Sequence, residues 1–331
     1  MTFLDPAILF FMLGIFAGLA KSNLEIPPAI ARFLSLYLLM ALGLKGGFAI
    51  HHSGLTGEVA VSLGLAILLA LIVPALAYSI LRHRLAGFDA AALSATYGSV
   101  SAVTFITAIQ TMENQGMTYG GHMAAAMALM ESPAIIVAVF LANMLRRDQT
   151  AVVALGNGTA ALPPAHTPPP LSKVLHESFT DGAQVLLLGA MLVGIITGDT
   201  GKAVMQPFSG DLFKGMLAFF LLDMGLLAAR NLAGLKSQPR FLLAYAILAP
   251  LVHAGIALCL ALLAGLSAGN AALLMTLAAS ASYIAVPAVL RYAIPEAQPA
   301  LYLGMSLGLT FPFNIVIGIP LYLSVAHAVI A

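Results

Sequence analysis

The sequence predicts an all-α integral membrane protein whose ten transmembrane helices form two inverted five-helix repeats. Hydrophobic residues make up 61% of the chain and charged residues 8%, whereas about a quarter of an ordinary soluble domain is charged. The mean hydropathy is +1.00. Two apolar segments, one in each half, are interrupted by small and hydroxyl residues at matching places. The interrupted segments predict broken fourth and ninth helices that cross near the membrane midplane.

Ten apolar segments approach the length of about 20 helical residues that a bilayer core about 30 Å thick requires. The first and sixth are the shortest. They are residues 6–20, 29–50, 58–81, 89–112, 120–145, 181–197, 212–229, 241–263, 270–292 and 299–329. Because the chain start lacks a basic region before its first apolar segment, that segment is interpreted as a retained span.

Basic residues predict the orientation of these segments. Of the 14 Lys and Arg residues, 11 fall on one face when the segments alternate across the membrane. These are Lys21, Arg32, Arg82, Arg84, Arg146, Arg147, Lys173, Arg230, Lys236, Arg240 and Arg291. That face is predicted to be cytoplasmic, so both termini face outward and the protein is placed in a bacterial inner membrane.

A proline- and alanine-rich stretch, residues 148–172, divides the chain into a first repeat (1–147) and a second repeat (173–331), and it is predicted to be a flexible cytoplasmic linker. The repeats share short motifs at offsets of 179 to 182 residues: 42–44 with 224–226, 99–101 with 280–282, and Pro133 with Pro312. Five spans per repeat make the second repeat inverted. Inverted repeats with matching polar interruptions are typical of secondary transporters.

The interruptions predict a substrate site. If both segments unwind, each restarts as a half-helix whose free amide groups point toward the membrane centre, and two such N-termini attract an anion. The predicted substrate-binding residues are Gly98, Ser99, Ser101, Ala102, Thr104, Ser280, Ser282 and Tyr283. The alternative is that small and hydroxyl residues only allow close helix packing.

Ionisable residues within apolar segments mark further candidates, because burying a charge in a membrane is costly. Glu131, with Ser101 and Ser282, is predicted to bind the coupling ion, sodium or a proton; a buried, protonated glutamic acid is the alternative. Lys45 and Asp223 lie in equivalent segments and are predicted to form a gate or structural ion pair.

Enzymatic and nucleic-acid functions find no support in the sequence. The spans contain no HExxH, GxSxG or paired-aspartate motif, so an enzyme is not expected. The single Cys259 excludes an intramolecular disulfide framework and most thiolate metal sites. A net charge of +1 argues against a nucleic-acid partner. The expected partners are the lipid bilayer and a small anion.

The chain resembles the SbtA-type sodium-dependent bicarbonate transporters across nearly all of both halves. The resemblance lies in residues 98–104, 130–134, 142–143, 249–253 and 278–295. It implies five-plus-five inverted spans, a mobile core moving against a gate formed by spans one, two, six and seven, a homotrimer, sodium as coupling ion and, by analogy with cyanobacterial members, a PII-like cytoplasmic regulator.

The chain also departs from that resemblance. Cyanobacterial members have Gly-Ser where this chain has Ala102-Val103, Asp at the positions of Glu131 and Tyr283, and Ser-Gly where it has Ala285-Val286. Three functions therefore stay open. They are symport of bicarbonate or a small carboxylate, symport of a larger organic anion as in the bile-acid/sodium symporter type, and anion sensing without transport.

Overall fold

The computed structural model describes residues 5–54, 56–155, 180–232 and 238–330, and within these ranges every regular element is helical. The first half contains α1 (Pro6–Leu19), α2 (Pro28–Ser53), α3 (Gly57–Leu81), α4 (Gly87–Gly98), α5 (Ala102–Asn114) and α6 (Met123–Leu155). The second half contains α7 (Gly182–Gln206), α8 (Phe213–Leu232), α9 (Arg240–Ala264), α10 (Ala268–Ala279), α11 (Ala285–Ala293) and α12 (Pro299–Ile330). The all-α prediction is confirmed for the described residues.

Within the described ranges, seven helical stretches are long and apolar enough to cross a membrane. They are Pro28–Ser53, Gly57–Leu81, Gly87–Asn114, Met123–Arg146, Gly182–Leu232, Arg240–Ala264 and Pro299–Ile330. One of them, Gly182–Leu232, is 51 residues long, which at about 1.5 Å per residue is over twice the thickness of a bilayer core. It bends at Gly198, which has a φ of 53°, and again at the π-turn Pro207–Asp211. The multi-pass character is confirmed, whereas the count of ten stays a prediction.

The predicted linker coincides only in part with the described residues. Helix α6 continues to Leu155, so residues 148–155 are helical where a flexible linker was expected. The sequence from 148 to 155 contains neither glycine nor proline, so nothing in it interrupts the helix before Gly156. The remainder of the predicted linker lies outside the described residues.

Four helices, α1, α2, α7 and α8, form one group that we call the panel. Helix α2 packs along α7, and α1 packs along α8. Glycines allow these close approaches: a Cβ atom on Gly14 would overlap the Leu222 carbonyl, and one on Gly47 would overlap the Met191 carbonyl. Small residues at such contacts let helix backbones approach closely in membranes.

The remaining helices, α3 to α6 and α9 to α12, form a second group that we call the core. Helix α3 packs on α4 and α6, while α9 packs on α10 and on the Gly304–Thr310 part of α12. Helices α4, α5 and α10 are almost entirely buried. The core therefore holds the two interrupted segments at its centre.

Candidate anion site at the crossing of two broken helices

The first predicted interruption is a true break between α4 and α5. Helix α4 ends at Gly98, and Ser99 adopts an extended conformation with a φ of −100° and a ψ of −179°. Helix α5 restarts at Ala102 with Ser101 as its N-cap, whose hydroxyl oxygen accepts a 3.2 Å hydrogen bond from the Thr104 amide. Serine suits this position because its short side chain reaches a free amide of the first turn.

The second interruption is a break as well, although Ile284, the N-cap of the restarted helix, makes no side-chain capping bond. Helix α10 ends at Ala279 and is followed by Ser280 in an extended conformation. Helix α11 restarts at Ala285, and its Val286 amide donates to the Ser282 hydroxyl oxygen at 3.2 Å. Pro287 falls in the first turn of α11, where its missing amide hydrogen breaks no helical bond.

The two breaks are in direct contact. The Ser101 amide donates to the Ser280 hydroxyl at 2.9 Å, and the Ser282 amide donates to the Thr96 carbonyl at 2.8 Å. All four residues are buried. The hydrogen-bonding groups exposed by one break are thus satisfied in part by the other, which fixes the position of the crossing.

A cavity of about 200 Å³ lies beside this crossing, between the panel and the core. Five predicted site residues line it: Ser101, Ala102, Glu131, Ser282 and Tyr283. Because one water occupies about 30 Å³, the cavity has room for a small anion with a few waters. It is smaller than the roughly 300–1,000 Å³ typical of pockets for drug-sized ligands.

The remaining predicted substrate residues do not line the cavity. A Cβ atom on Gly98 would lie 2.6 Å from the Pro74 side chain, so Gly98 serves the packing of α4 on α3. The Thr104 hydroxyl donates to the Ser101 hydroxyl at 3.0 Å, and the Ser280 hydroxyl donates to the Leu277 carbonyl at 2.8 Å. Ser99 is buried, and its hydroxyl forms no hydrogen bond within the described part of the chain. These residues therefore belong to the packing around the two breaks and not to the wall of the cavity.

Glu131 reaches the cavity from α6. One of its carboxylate oxygens accepts a 2.8 Å hydrogen bond from the Gln184 side-chain amide on α7. Asp181, the N-cap of α7, lines the same cavity, and its carboxylate accepts hydrogen bonds from the Ala183 and Gln184 amides. Two carboxylates and the hydroxyls of Ser101 and Ser282 thus border one space, a donor set of the hard oxygen atoms that alkali and alkaline-earth cations prefer.

Tyr283 is buried against α12, with its ring centroid 5.1 Å from that of Phe311. The residue lines the cavity, while its hydroxyl oxygen is itself buried, on the side of Ser101. Tyr283 therefore contributes to the wall of the cavity and packs between Ser101 and Phe311.

The predicted ion pair between Lys45 and Asp223 is wrong. The Lys45 ammonium lies 3.1 Å from both carboxylate oxygens of Glu113, at the far end of α5, and 4.1 Å from the Phe213 ring centroid. Asp223 is buried on α8 and has no ion-pair partner among the described residues. Equivalent positions in the two repeats did not bring these side chains together, because each helix is paired with the non-equivalent helix of the other repeat.

Three contacts of the site were missed by sequence reasoning. Gln184 and Asp181 were not selected, although a glutamine in an apolar segment is a signal of buried polar chemistry. Asn314 was also missed: its side-chain amide donates to the Ala279 carbonyl at 2.8 Å, and its oxygen accepts from the Tyr322 hydroxyl at 2.9 Å. It thereby satisfies a carbonyl that the end of α10 leaves free.

A family model described as the Na+-dependent bicarbonate transporter superfamily matches residues 6–327. No curated protein matches the chain. The matched range contains both breaks, Glu131 and every residue that lines the cavity. By this match across nearly its whole length, the chain belongs to the Na+-dependent bicarbonate transporter superfamily.

Proposed function

We propose that the protein is a secondary active transporter that takes up bicarbonate together with sodium ions. The observation that carries the proposal is the contact between the two breaks, through Ser101 and Ser280, beside a cavity lined by Glu131. Substrate sites of secondary transporters are commonly built from discontinuous helices near the midplane, where repeats meet. Membership of a transporter family agrees with this function and not with an enzyme.

The anion would bind to the half-helix N-termini. Helices α5 and α11 both begin at residues that line the cavity, Ala102 and Ala285, and a helix N-terminus carries roughly half a positive charge. The hydroxyl oxygens of Ser101 and Ser282 accept hydrogen bonds from the first turns of these helices, so their hydroxyl hydrogens can donate to an anion. Tyr283 lines the same cavity beside these serines. A site of this kind needs no arginine.

The coupling ion would bind nearby. Glu131 supplies a negative charge, and Ser101 and Ser282 supply neutral oxygens, which fits sodium. A proton carried by Glu131 is the second possibility, and the two are separated by the experiment below. Sodium would share the small cavity with the anion, and a proton would neutralise the Glu131 carboxylate; both lower the cost of burying the charges.

The ten-helix inverted repeat belongs to the same proposal. Its support is the duplicated packing: α1 contacts α8 while its equivalent α7 contacts α2, and α3 contacts α4 while α9 contacts α10. Repeats related by a two-fold axis in the membrane plane produce such equivalent contacts, both between the repeats and within each of them. We further propose the orientation given by the basic residues, with both termini outside a bacterial inner membrane. The panel would then be the stationary part of the transporter and the core the moving part.

Two partners follow by analogy from the family resemblance alone. We propose a homotrimer, testable by light scattering of the detergent-purified protein after subtraction of the bound detergent. Each chain has a mass of 34.2 kDa. We also propose a PII-like regulator on the cytoplasmic face, testable by co-purification from cells of the native host.

The testing experiment is uptake of labelled bicarbonate into proteoliposomes, with an imposed sodium gradient and, separately, an imposed proton gradient. Sodium-dependent uptake supports the proposal, and proton-driven uptake would replace sodium as the coupling ion. No uptake under either gradient, from protein that is folded, would overturn bicarbonate transport. Competition with small carboxylates and bile acids would then identify another substrate, and anion binding without uptake would indicate a sensor.

A further inference from the structure

The two ends of α2 meet the core in different ways. Toward its start, Ser35 and Leu39 line the cavity beside the broken helices. That cavity extends to the exposed Asp181 at the start of α7. Toward the other end, Lys45 and Gly46 contact the core directly. Panel and core are thus separated by the cavity along the first half of α2 and joined by direct contacts at Lys45 and Gly46.

The closed end is held by an ion pair between the panel and the core. The Lys45 ammonium on α2 lies 3.1 Å from both oxygens of the Glu113 carboxylate on α5. The Tyr119 hydroxyl donates to Glu113 at 3.0 Å and keeps the carboxylate in place. The side chains of Lys45 and Glu113 are 21% and 30% exposed, so water can hydrate both charges when the ion pair separates.

The next residue, Asn114, ties α5 to two further helices of the panel. Its side-chain amide donates to the carboxylate of Asp5, the N-cap of α1. Its side-chain oxygen accepts a 3.0 Å hydrogen bond from the Lys214 ammonium on α8. One end of α5 is therefore bound to three of the four panel helices.

Behind these polar contacts the backbones themselves touch. A Cβ atom on Gly121, two residues before α6, would overlap the Gly46 carbonyl. A Cβ atom on Gly46 would lie 3.4 Å from the Cβ atom of Ala124. Only glycine permits this approach, which leaves no passage between α2 and the start of α6. Met127, one turn farther along α6, already lines the cavity on the other side of the contact.

We propose that the contacts of Lys45 with Glu113, of Asp5 and Lys214 with Asn114, and of Gly46 with Gly121 form a gate. This gate closes the outward end of the substrate path while the cavity is open toward the opposite face. The inference rests on the proposed transport function. It assigns to specific residues the closure of one end of the substrate path.

Helix α5 couples the gate to the site. Its N-terminus carries Ser101 and Ala102 at the cavity, and its C-terminus carries Glu113 and Asn114 at the gate. Movement of the core against the panel must break the gate contacts before the site can face outward. A polar vestibule of about 780 Å³, whose lining includes Lys202, lies beside the gate, so the freed charges would be hydrated at once.

The experiment measures access to a single cysteine introduced in place of Met127. The Met127→Cys substitution is made in a Cys259→Ala background, and a membrane-impermeant maleimide is applied to intact cells and, separately, to inverted vesicles. Gate variants are Lys45→Glu, Glu113→Lys and the exchanged pair carrying both. Lys202→Glu is the matched control, since it makes the same charge change at an exposed residue of the vestibule that forms no ion pair with any described residue.

With the native gate, we expect the reagent to label the introduced cysteine from the cavity side and hardly at all from the gate side. Each single charge reversal should raise labelling from the gate side roughly two- to fivefold, the range expected for a partly exposed ion pair. The exchanged pair should restore the native rate, and Lys202→Glu should leave it unchanged. Restoration by the exchanged pair also excludes misfolding as the cause.

Equal labelling from the gate side in all variants would overturn the gate, as would an equal rise in the Lys202→Glu control. The measurement does not depend on the transported anion. Unchanged labelling together with normal bicarbonate uptake rejects only the gate. Altered labelling without uptake under any gradient leaves the gate in place and rejects the proposed substrate.

Discussion

The Ser101 amide donates a 2.9 Å hydrogen bond to the Ser280 hydroxyl, although the two residues lie 179 positions apart. Both are buried in helix breaks, where the backbone has lost its helical partners. A buried amide without a partner is costly, so each break depends on the other. This mutual dependence makes the crossing a single structural unit.

We expect Ser280→Ala to destabilise the protein by about 1–3 kcal/mol, because it leaves the buried Ser101 amide without an acceptor. The measurement is the thermal unfolding midpoint of the purified protein in detergent. Ser79→Ala is the matched control: the Ser79 hydroxyl also donates to a carbonyl, that of Ala75, but on an exposed helix face. A loss of stability no greater in Ser280→Ala than in Ser79→Ala would contradict the role of the crossing.

We expect Ser101→Leu to abolish uptake while folded protein is still obtained. The leucine side chain would project into the cavity beside the N-terminus of α5 and occupy the space of the anion. Uptake is measured in proteoliposomes and compared with Ser324→Leu, which makes the same exchange on an exposed face near the end of the chain. Normal uptake by folded Ser101→Leu protein would show that the anion binds elsewhere.

We expect Glu131→Gln to raise the sodium concentration for half-maximal uptake at least about tenfold, which corresponds to about 1.4 kcal/mol. The change keeps the size of the side chain and its contact with Gln184 but removes the charge. Initial uptake rates are measured against sodium concentration, with the exposed Glu25→Gln as control. An unchanged sodium dependence would remove Glu131 from the ion site.

We expect His122 to make the protein less stable in acid. His122 lies just before α6; burial lowers its pKa below the ordinary value of 6.5, an effect that nearby Glu58 partly offsets. The unfolded chain therefore binds a proton more readily than the folded one, and stability falls as the pH drops below about 6.5. The fall in unfolding midpoint between about pH 7.5 and about pH 5.5 should be smaller in His122→Gln than in the parent. Equal slopes would reject this role for His122.

The sequence predicted the all-helical membrane fold and the position of both breaks. Apolar composition and segment length depend on the surrounding lipid, and small and hydroxyl residues within an apolar segment are a local signal of an interrupted helix. Four of the predicted site residues, Ser101, Ala102, Ser282 and Tyr283, line the cavity because they sit at or beside the breaks. Glu131 was found because a carboxylate in an apolar segment is unusual.

Other assignments depended on contacts between distant helices. Lys45 and Asp223 are equivalent in the repeats, but the panel pairs α1 with α8 and α2 with α7, which places Lys45 beside Glu113. Gln184 and Asn314 reach the site from helices whose rotation is set by packing, and no local signal encodes that rotation. The alternating direction of the apolar segments across the membrane likewise does not predict which face of α2 lines the cavity.

The sequence by itself thus determined what each segment is: a membrane helix, an interrupted helix, or an apolar helix that carries an acidic residue. These properties depend on neighbouring residues and on transfer from water to lipid. Only the tertiary structure decided that the breaks cross through Ser101 and Ser280, that Glu131 meets Gln184, and that Glu113 joins Lys45. Those contacts depend on how helices far apart in the chain pack against one another, and packing is a property of the whole molecule.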